Sequence, residues 1–178
     1  ELFKGDFIGV NRLAMWQKIK ELYDEGLAEE YLRQLEEHEI YRHDETALKP
    51  YCVSITMYPF LFGGITSIGG LSDAPTNIHS YTGGIINLVF AIASQFAGAV
   101  STPEFLPYFD YFLRKEYGDD YYLRADEVVD LSLKKRTIRK VVEDLFQQAV
   151  YSLNQPAAAR NFQSVFWNIA YYDEPYFK

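Results

Sequence analysis

Between Pro50 and Pro103 the chain carries a single charged side chain, Asp73, histidine aside. A stretch of that length with so little to hold it in water has to lie against other protein along most of its course. Inside it, Tyr51-Cys52-Val53-Ser54-Ile55-Thr56-Met57 is rich in β-branched and aromatic residues and is bounded by Pro50 and Pro59. That pattern predicts a buried strand with Cys52 on it. Gly84 to Val100 has no charge at all and is predicted to be a helix buried all round. Its Ala91, Ala93, Ser94, Ala97, Gly98 and Ala99 let a neighbouring helix come close. The apolar run from Ile85 to Val100 holds Asn87, Ser94 and Gln95 and is short for a membrane span, which needs about 20 apolar residues.

The remainder alternates helical and irregular patterns. Asn11 to Glu25 is predicted as a helix with Leu13, Trp16, Ile19, Leu22 and Tyr23 inward and Gly26 as its stop. Leu27 to Ile40 continues as an amphipathic helix with Tyr31, Leu32 and Leu35 on one face. Phe62 to Thr82 is expected to be a long loop. Its pairs Gly63-Gly64 and Gly69-Gly70 match no phosphate-binding loop, and glycines in such a loop more commonly make turns. Pro103 to Tyr117 is predicted as a helix capped by Thr102 and ended by Gly118. Asp130 to Leu153 is predicted as a last long helix, with Leu131, Ile138, Val141, Val142, Leu145, Phe146, Ala149 and Val150 as its apolar side. Lys134, Lys135, Arg136, Arg139 and Lys140 form a basic patch on it, either a solvated face or a contact for phosphates. Asn154 to Asn161 is a loop, and Phe162 to Ile169 alternates as a second strand, with Phe162, Ser164, Phe166 and Asn168 on one side. The fold class is therefore α/β and helix-rich. Two strands do not make an independent sheet, so they are expected to belong to a larger sheet or barrel. The chain is expected to be one partial domain, with 1–49 a helical lead-in and 50–178 the body.

Composition closes off several functions. The formal net charge is -8, which gives no electrostatic footprint for nucleic acid or an anionic membrane. One cysteine excludes an internal disulfide framework and a cysteine-based zinc site within the chain, and places the expected compartment as the cytoplasm. The 15 Tyr and 13 Phe suit a large buried surface whose polar tips need partners, and equally a surface covered by another domain or subunit. The run Tyr171-Tyr172-Asp173-Glu174-Pro175-Tyr176-Phe177 is too aromatic for a solvated tail, so a piece of a longer protein is expected.

The words of the chain are more specific than its composition. His43-Asp44 precedes Pro50-Tyr51-Cys52. Then come Tyr81 through Gln95-Phe96-Ala97-Gly98-Ala99-Val100, Pro103-Glu104-Phe105-Leu106, and Leu153 through Asn168. In that order and spacing the chain resembles the anaerobic (class III) ribonucleoside-triphosphate reductases, which are glycyl-radical ribonucleotide reductases. The resemblance implies the N-terminal portion of a ten-stranded α/β barrel, with Cys52 on the first barrel strand facing the substrate. It implies that Cys52 works at the 2′ position of the ribose, beside a second cysteine that becomes a thiyl radical and abstracts the 3′ hydrogen. Cys52 would donate a proton or hydrogen as the 2′ hydroxyl leaves as water. The segment Asn154-Gln155-Pro156-Ala157-Ala158-Ala159-Arg160-Asn161-Phe162-Gln163-Ser164 matches the loop that relays effector identity to the substrate base. Asn154, Gln155, Ala157, Arg160, Asn161, Gln163 and Ser164 are its candidate contacts; an ordinary connecting loop is the alternative. The helices around Gly84–Val100 and Asp130–Leu153 match the dimer face and the nucleotide effector pocket.

For the whole enzyme the resemblance implies a ribonucleoside triphosphate substrate, ATP or deoxynucleotide effectors, a homodimer, zinc, and a glycyl radical installed by a radical-SAM activating enzyme. This chain has no second cysteine for a finger loop or zinc site, no recognisable radical glycine and no visible ATP-binding cone. It is therefore expected to be inactive alone, as a segment of a catalytic subunit. The alternative is a non-catalytic nucleotide-binding or dimerisation module from a split or decayed reductase.

Overall fold

The computed structural model describes residues 7–42, 45, 50–66, 71–130, 135–157 and 163–172. The chain divides into two compact units, Glu1–Lys49 and Pro50–Lys178. The first holds α1 (Phe7–Leu22) and α2 (Glu25–Glu36), packed on one another. Asp24 ends the turn between them by accepting a hydrogen bond from the Leu27 N–H at 2.8 Å, an N-cap that starts α2 one residue before Gly26. Ala28 and Leu35 are buried, whereas Leu13, Leu22 and Tyr23 are exposed. The inward stripe predicted for α1 is thus corrected. Among the described residues α1 packs on α2 and bonds to Glu45 through Asn11 and Arg12, and Leu13, Leu22 and Tyr23 stay uncovered.

The second unit contains β1 (Val53–Ser54), α3 (Tyr58–Gly63), α4 (Ile78–Ala93), β2 (Val100–Thr102), α5 (Phe105–Tyr117), β3 (Val128–Asp130), β4 (Arg136–Thr137), α6 (Ile138–Leu153) and β5 (Trp167–Ile169). β1, β2 and β5 form a parallel sheet in the order β1-β2-β5. Val53 pairs with Val100 and Val100 with Trp167, while Ser54 pairs with Ser101 and Ser101 with Asn168. Helices cross between successive strands, as parallel pairing requires.

Several boundaries move from their predicted places, each for a local reason. α4 begins at Ile78, not Gly84, because Asn77 and Ser80 form a capping box. The Asn77 carboxamide accepts from the Ser80 N–H at 2.8 Å, and the Ser80 hydroxyl accepts from the Asn77 N–H at 3.0 Å. The helix ends at Ala93, and Val100, read as its end, opens β2 instead. Thr102 therefore caps nothing. It is fully buried in β2, where its Oγ1 accepts from Trp167 Nε1 at 2.8 Å, and Glu104 stands at the start of α5. α6 starts at Ile138, because the Thr137 hydroxyl caps it through the Lys140 N–H and the preceding residues pair as the β3–β4 hairpin. Tyr58–Gly63 forms α3, which runs two residues into the expected loop and is ended by Gly64 at φ +66. There the chain turns back so closely on Ser72 and Asp73 that a side chain would meet their backbone.

The core sits on one face of the sheet. From α6, Ile138, Val141, Leu145, Ala149 and Leu153 are buried at helical spacing, while Val150, read as part of that side, is exposed. Tyr81, Phe105, Phe109, Phe112, Phe146 and Trp167 make an aromatic cluster with ring centroids 4.8 to 6.1 Å apart. The Tyr81 hydroxyl, wholly enclosed, donates to the Phe105 carbonyl at 2.9 Å. Val53 and Ile55 of the first strand segment are partly buried and pack against the hydrophobic core. Among the described residues no helix is long and apolar enough to cross a membrane.

Candidate functional site

Cys52 stands immediately before β1, and a ladder of backbone bonds reaches past it. The Ala97 N–H donates to Pro50 O at 2.9 Å, Gly98 N–H to Tyr51 O at 2.5 Å, Val53 N–H to Ala99 O at 3.0 Å and Ile55 N–H to Ser101 O at 3.0 Å. The period of two then decides which way each side chain faces. Val53 and Ile55 take the core face, so Cys52, Ser54 and Thr56 take the other. Cys52 is accordingly exposed, which corrects the expectation that it is buried. The helices pack on the opposite face of the sheet, and the thiol has the open one. Its Sγ accepts a hydrogen bond from the Ala99 N–H at 3.2 Å.

The open face is polar. Ser54, Ser101 and Asn168 lie in register across all three strands, with Ser54 and Asn168 exposed and Ser101 half-buried. Phe166, also exposed, stands immediately before β5, one step back from Asn168 along the same face. A parallel sheet covered by helices on both faces reads as continuous hydrophobic strands. These strands instead alternate, which marks a face kept for something other than helix packing. The alternation Cys52, Ser54, Thr56 was visible in the sequence. Ser101 was missed because Val100 was read as the end of one helix and Thr102 as the cap of the next, which left no strand between them.

At the far end of β1, the Glu104 carboxylate accepts from the Met57 N–H at 2.6 Å and the Thr56 hydroxyl at 3.1 Å. This residue, which sequence reasoning also passed over as a site feature, ties the end of β1 to the start of α5.

The Asn154–Ser164 segment enters the sheet from its other edge. Asn154 is the C-cap of α6, and Gln155 Nε2 donates to Tyr151 O at 3.1 Å. Ala157 N–H donates to Gln163 O at 3.1 Å, so the loop closes on itself at its base. Ser164 is half-buried, and the buried Val165 beyond it donates its N–H to Leu153 O at 3.3 Å. Arg160 and Asn161 lie outside the described residues, as do His43 and Asp44. Cys52 leads into edge strand β1 and this loop into edge strand β5, with β2 between them. Strand spacing puts the two edges about 10 Å apart.

Three of the described residues of the basic patch are paired locally. Arg139 pairs with Asp126 at 3.1 Å, Lys140 with Asp144 at 2.9 Å, and Arg136 lies 3.8 Å from Asp144. Those pairs favour a solvated face over a contact for phosphates; Lys134 is outside the described residues. A cavity of about 690 Å³ lies over α5, lined by Leu106, Tyr108, Asp110, Tyr111, Arg114 and Tyr171 among others, and neither Cys52 nor a residue of the 154–164 segment lines it. No group of three His, Cys, Asp or Glu able to hold a metal occurs among the described residues.

The family model for anaerobic ribonucleoside-triphosphate reductase matches residues 3–177. The chain belongs to that family. Its fold is also that of solved reductases. The anaerobic ribonucleotide reductase from Thermotoga maritima with dATP bound in the specificity site is 28% identical, with a TM-score of 0.80 over 99% of this chain and 28% of that one. The same enzyme in complex with dATP and CTP is 27% identical, with a TM-score of 0.76 over 93% of this chain and 26% of that one. A further anaerobic ribonucleotide reductase is 28% identical, with a TM-score of 0.78 over 99% and 26%. The chain thus spans between a quarter and a third of the length of the solved reductases it matches. No protein among the curated sequences matches it.

Proposed function

We propose that this chain is the segment of an anaerobic ribonucleoside-triphosphate reductase that presents Cys52 to the ribose of the substrate. The observation that carries the reading is the open sheet face, where an exposed thiol stands one step from the in-register row Ser54, Ser101 and Asn168. Hydroxyl and carboxamide groups supply the donors and acceptors that sugar hydroxyls need. A thiol is suited to this place because its S–H exchanges hydrogen with carbon centres. On this reading Cys52 delivers a proton or hydrogen at the 2′ side of the ribose while the 2′ hydroxyl leaves as water. The loop 154–164, anchored at Ala157 and Gln163, meets the base from the β5 edge, with Asn154, Gln155, Arg160, Asn161 and Ser164 as its contacts.

The reading extends to the effector and to assembly. α4 and α6, packed together, belong to the nucleoside-triphosphate effector site and to a homodimer face. The neighbouring reductase with dATP in its specificity site supports an effector of that class. The three parallel strands are then the first part of the ten-stranded barrel. The radical-bearing cysteine, the glycyl radical with its radical-SAM activating enzyme, and the zinc site belong to the rest of the reductase. The residues here do not fit a cysteine zinc site, since the chain has one Cys. Deoxynucleotide production for DNA synthesis, in the cytoplasm, is the role this assigns.

The test is Cys52→Ser in the complete reductase carrying this segment, with its activating enzyme, CTP and dATP. Loss of CTP reduction with dATP binding kept is the expected result, and reduction at the wild-type rate overturns the assignment. The 178-residue chain alone is expected to form no deoxynucleotide.

A further inference from the structure

Gly98 lies closer to the Cys52 sulfur than any other residue type allows. A Cβ built there would stand 2.6 Å from Sγ and 2.8 Å from Tyr51 O. The approach is held by the Gly98 N–H, which donates to that same carbonyl at 2.5 Å, and by the Ala97 N–H on Pro50 O. It brings the next amide, Ala99 N–H, onto Sγ at 3.2 Å. One backbone segment thus fixes both the space around the thiol and its hydrogen-bond partner. We propose that Gly98 is a positioning residue for the reduction, acting through Cys52. Its missing side chain lets residues 97–99 close against the thiol, so that the Ala99 N–H holds Sγ in one orientation on the open sheet face. This rests on the assignment of Cys52 to the reduction.

A methyl group at position 98 would press on Tyr51 O at 2.8 Å as well as on Sγ at 2.6 Å, so the backbone ladder has to give there and the cysteine side chain has to rotate. Carbon and sulfur settle at about 3.5–4 Å, so Sγ has to retreat by about 1 Å and leaves the Ala99 N–H. Misplacement of a reacting group by about 1 Å costs on the order of 100-fold in rate.

The experiment has two arms. In the complete reductase, Gly98→Ala is expected to lower kcat for CTP reduction about 100-fold while KM for CTP and the affinity for dATP hold. In the 178-residue chain, the Ala99 amide resonance is expected to shift and to exchange with solvent faster in Cys52→Ala, which leaves Gly98 in place and so does not depend on the glycine variant folding. Wild-type kcat in Gly98→Ala overturns the proposal, and so does an Ala99 amide indifferent to Cys52→Ala. Wild-type turnover in Cys52→Ser instead removes the assignment on which the proposal rests, and the two failures are told apart by which variant stays active.

Discussion

Glu104 joins the end of the strand that follows Cys52 to the helix that follows β2, and its removal should be costly out of proportion to its partial exposure. One carboxylate accepts the Met57 N–H at 2.6 Å and the Thr56 hydroxyl at 3.1 Å, the first from a main-chain donor next to the fully buried Met57 side chain. Hydrogen bonds to a charged acceptor contribute about 1.5–3 kcal/mol each, and partial exposure puts these two near the lower figure, so Glu104→Ala should lose about 3 kcal/mol. Glu104→Gln keeps one oxygen for the Met57 N–H and should lose about 1 kcal/mol. For a chain of this size each kcal/mol moves the melting temperature by about 3 °C, so the alanine variant should melt about 9 °C lower and the glutamine variant about 3 °C lower. Urea unfolding followed by the fluorescence of Trp167, which sits against Phe105 in the core, in a Trp16→Phe background reads the second unit. Equal losses in the two variants would show that the carboxylate charge, not the oxygen facing Met57, is what matters. A loss under about 0.5 kcal/mol in Glu104→Ala would refute the tie altogether.

Two further outcomes follow from the ionisable groups. Burial first, then neighbouring carboxylates, push the Tyr117 phenol up to about 12; burial and then Asp110 do the same to Tyr121, and burial raises Tyr81 well above the ordinary range. Phenols held protonated in the fold favour it fully below the unfolded value of about 10, and that contribution is lost as pH rises from there towards 12. Melting temperature followed by circular dichroism should therefore be flat from neutrality to about pH 9.5 and fall above it, with tyrosinate absorbance rising on unfolding; a fall complete before pH 9 would contradict this. In the first unit, the Arg12 guanidinium bonds to Glu45 and holds its carboxyl below the usual range. That contribution is present above the unfolded value of about 4.3 and fades as pH falls through the folded one, so acid should destabilise wild type more than Glu45→Gln between about pH 5 and 3.

The parts of the fold legible in the sequence were those where one face is buried and the other is not. The α6 spacing from Ile138 to Leu153 and the alternation around Trp167 both came through, since a helix or strand half in a core writes its period into its residues. The elements that did not come through have their signal in another residue. α4 starts where Asn77 and Ser80 cap each other, a local exchange of hydrogen bonds that outweighed the glycine pair at 83–84. β2 is three residues long and continuous in composition with the apolar stretch before it, so only pairing with β1 and β5 on either side defines it. The missed strand is also why the site was half seen. Cys52 drew attention as a lone thiol, but its orientation follows from parity along β1. Of its neighbours, Gly98 belongs to a segment that a helical reading had turned elsewhere, and Ser101 was left between two predicted helices. The same lack of charge that made Cys52 seem buried belongs to strands whose core face is packed by helices and whose other face is left to thiol, hydroxyl and amide groups. A low-charge parallel strand with small polar residues at every second position is therefore better evidence of a ligand-facing surface than of deep burial, and Ser54→Val with Ser101→Val is the substitution that would convert one into the other.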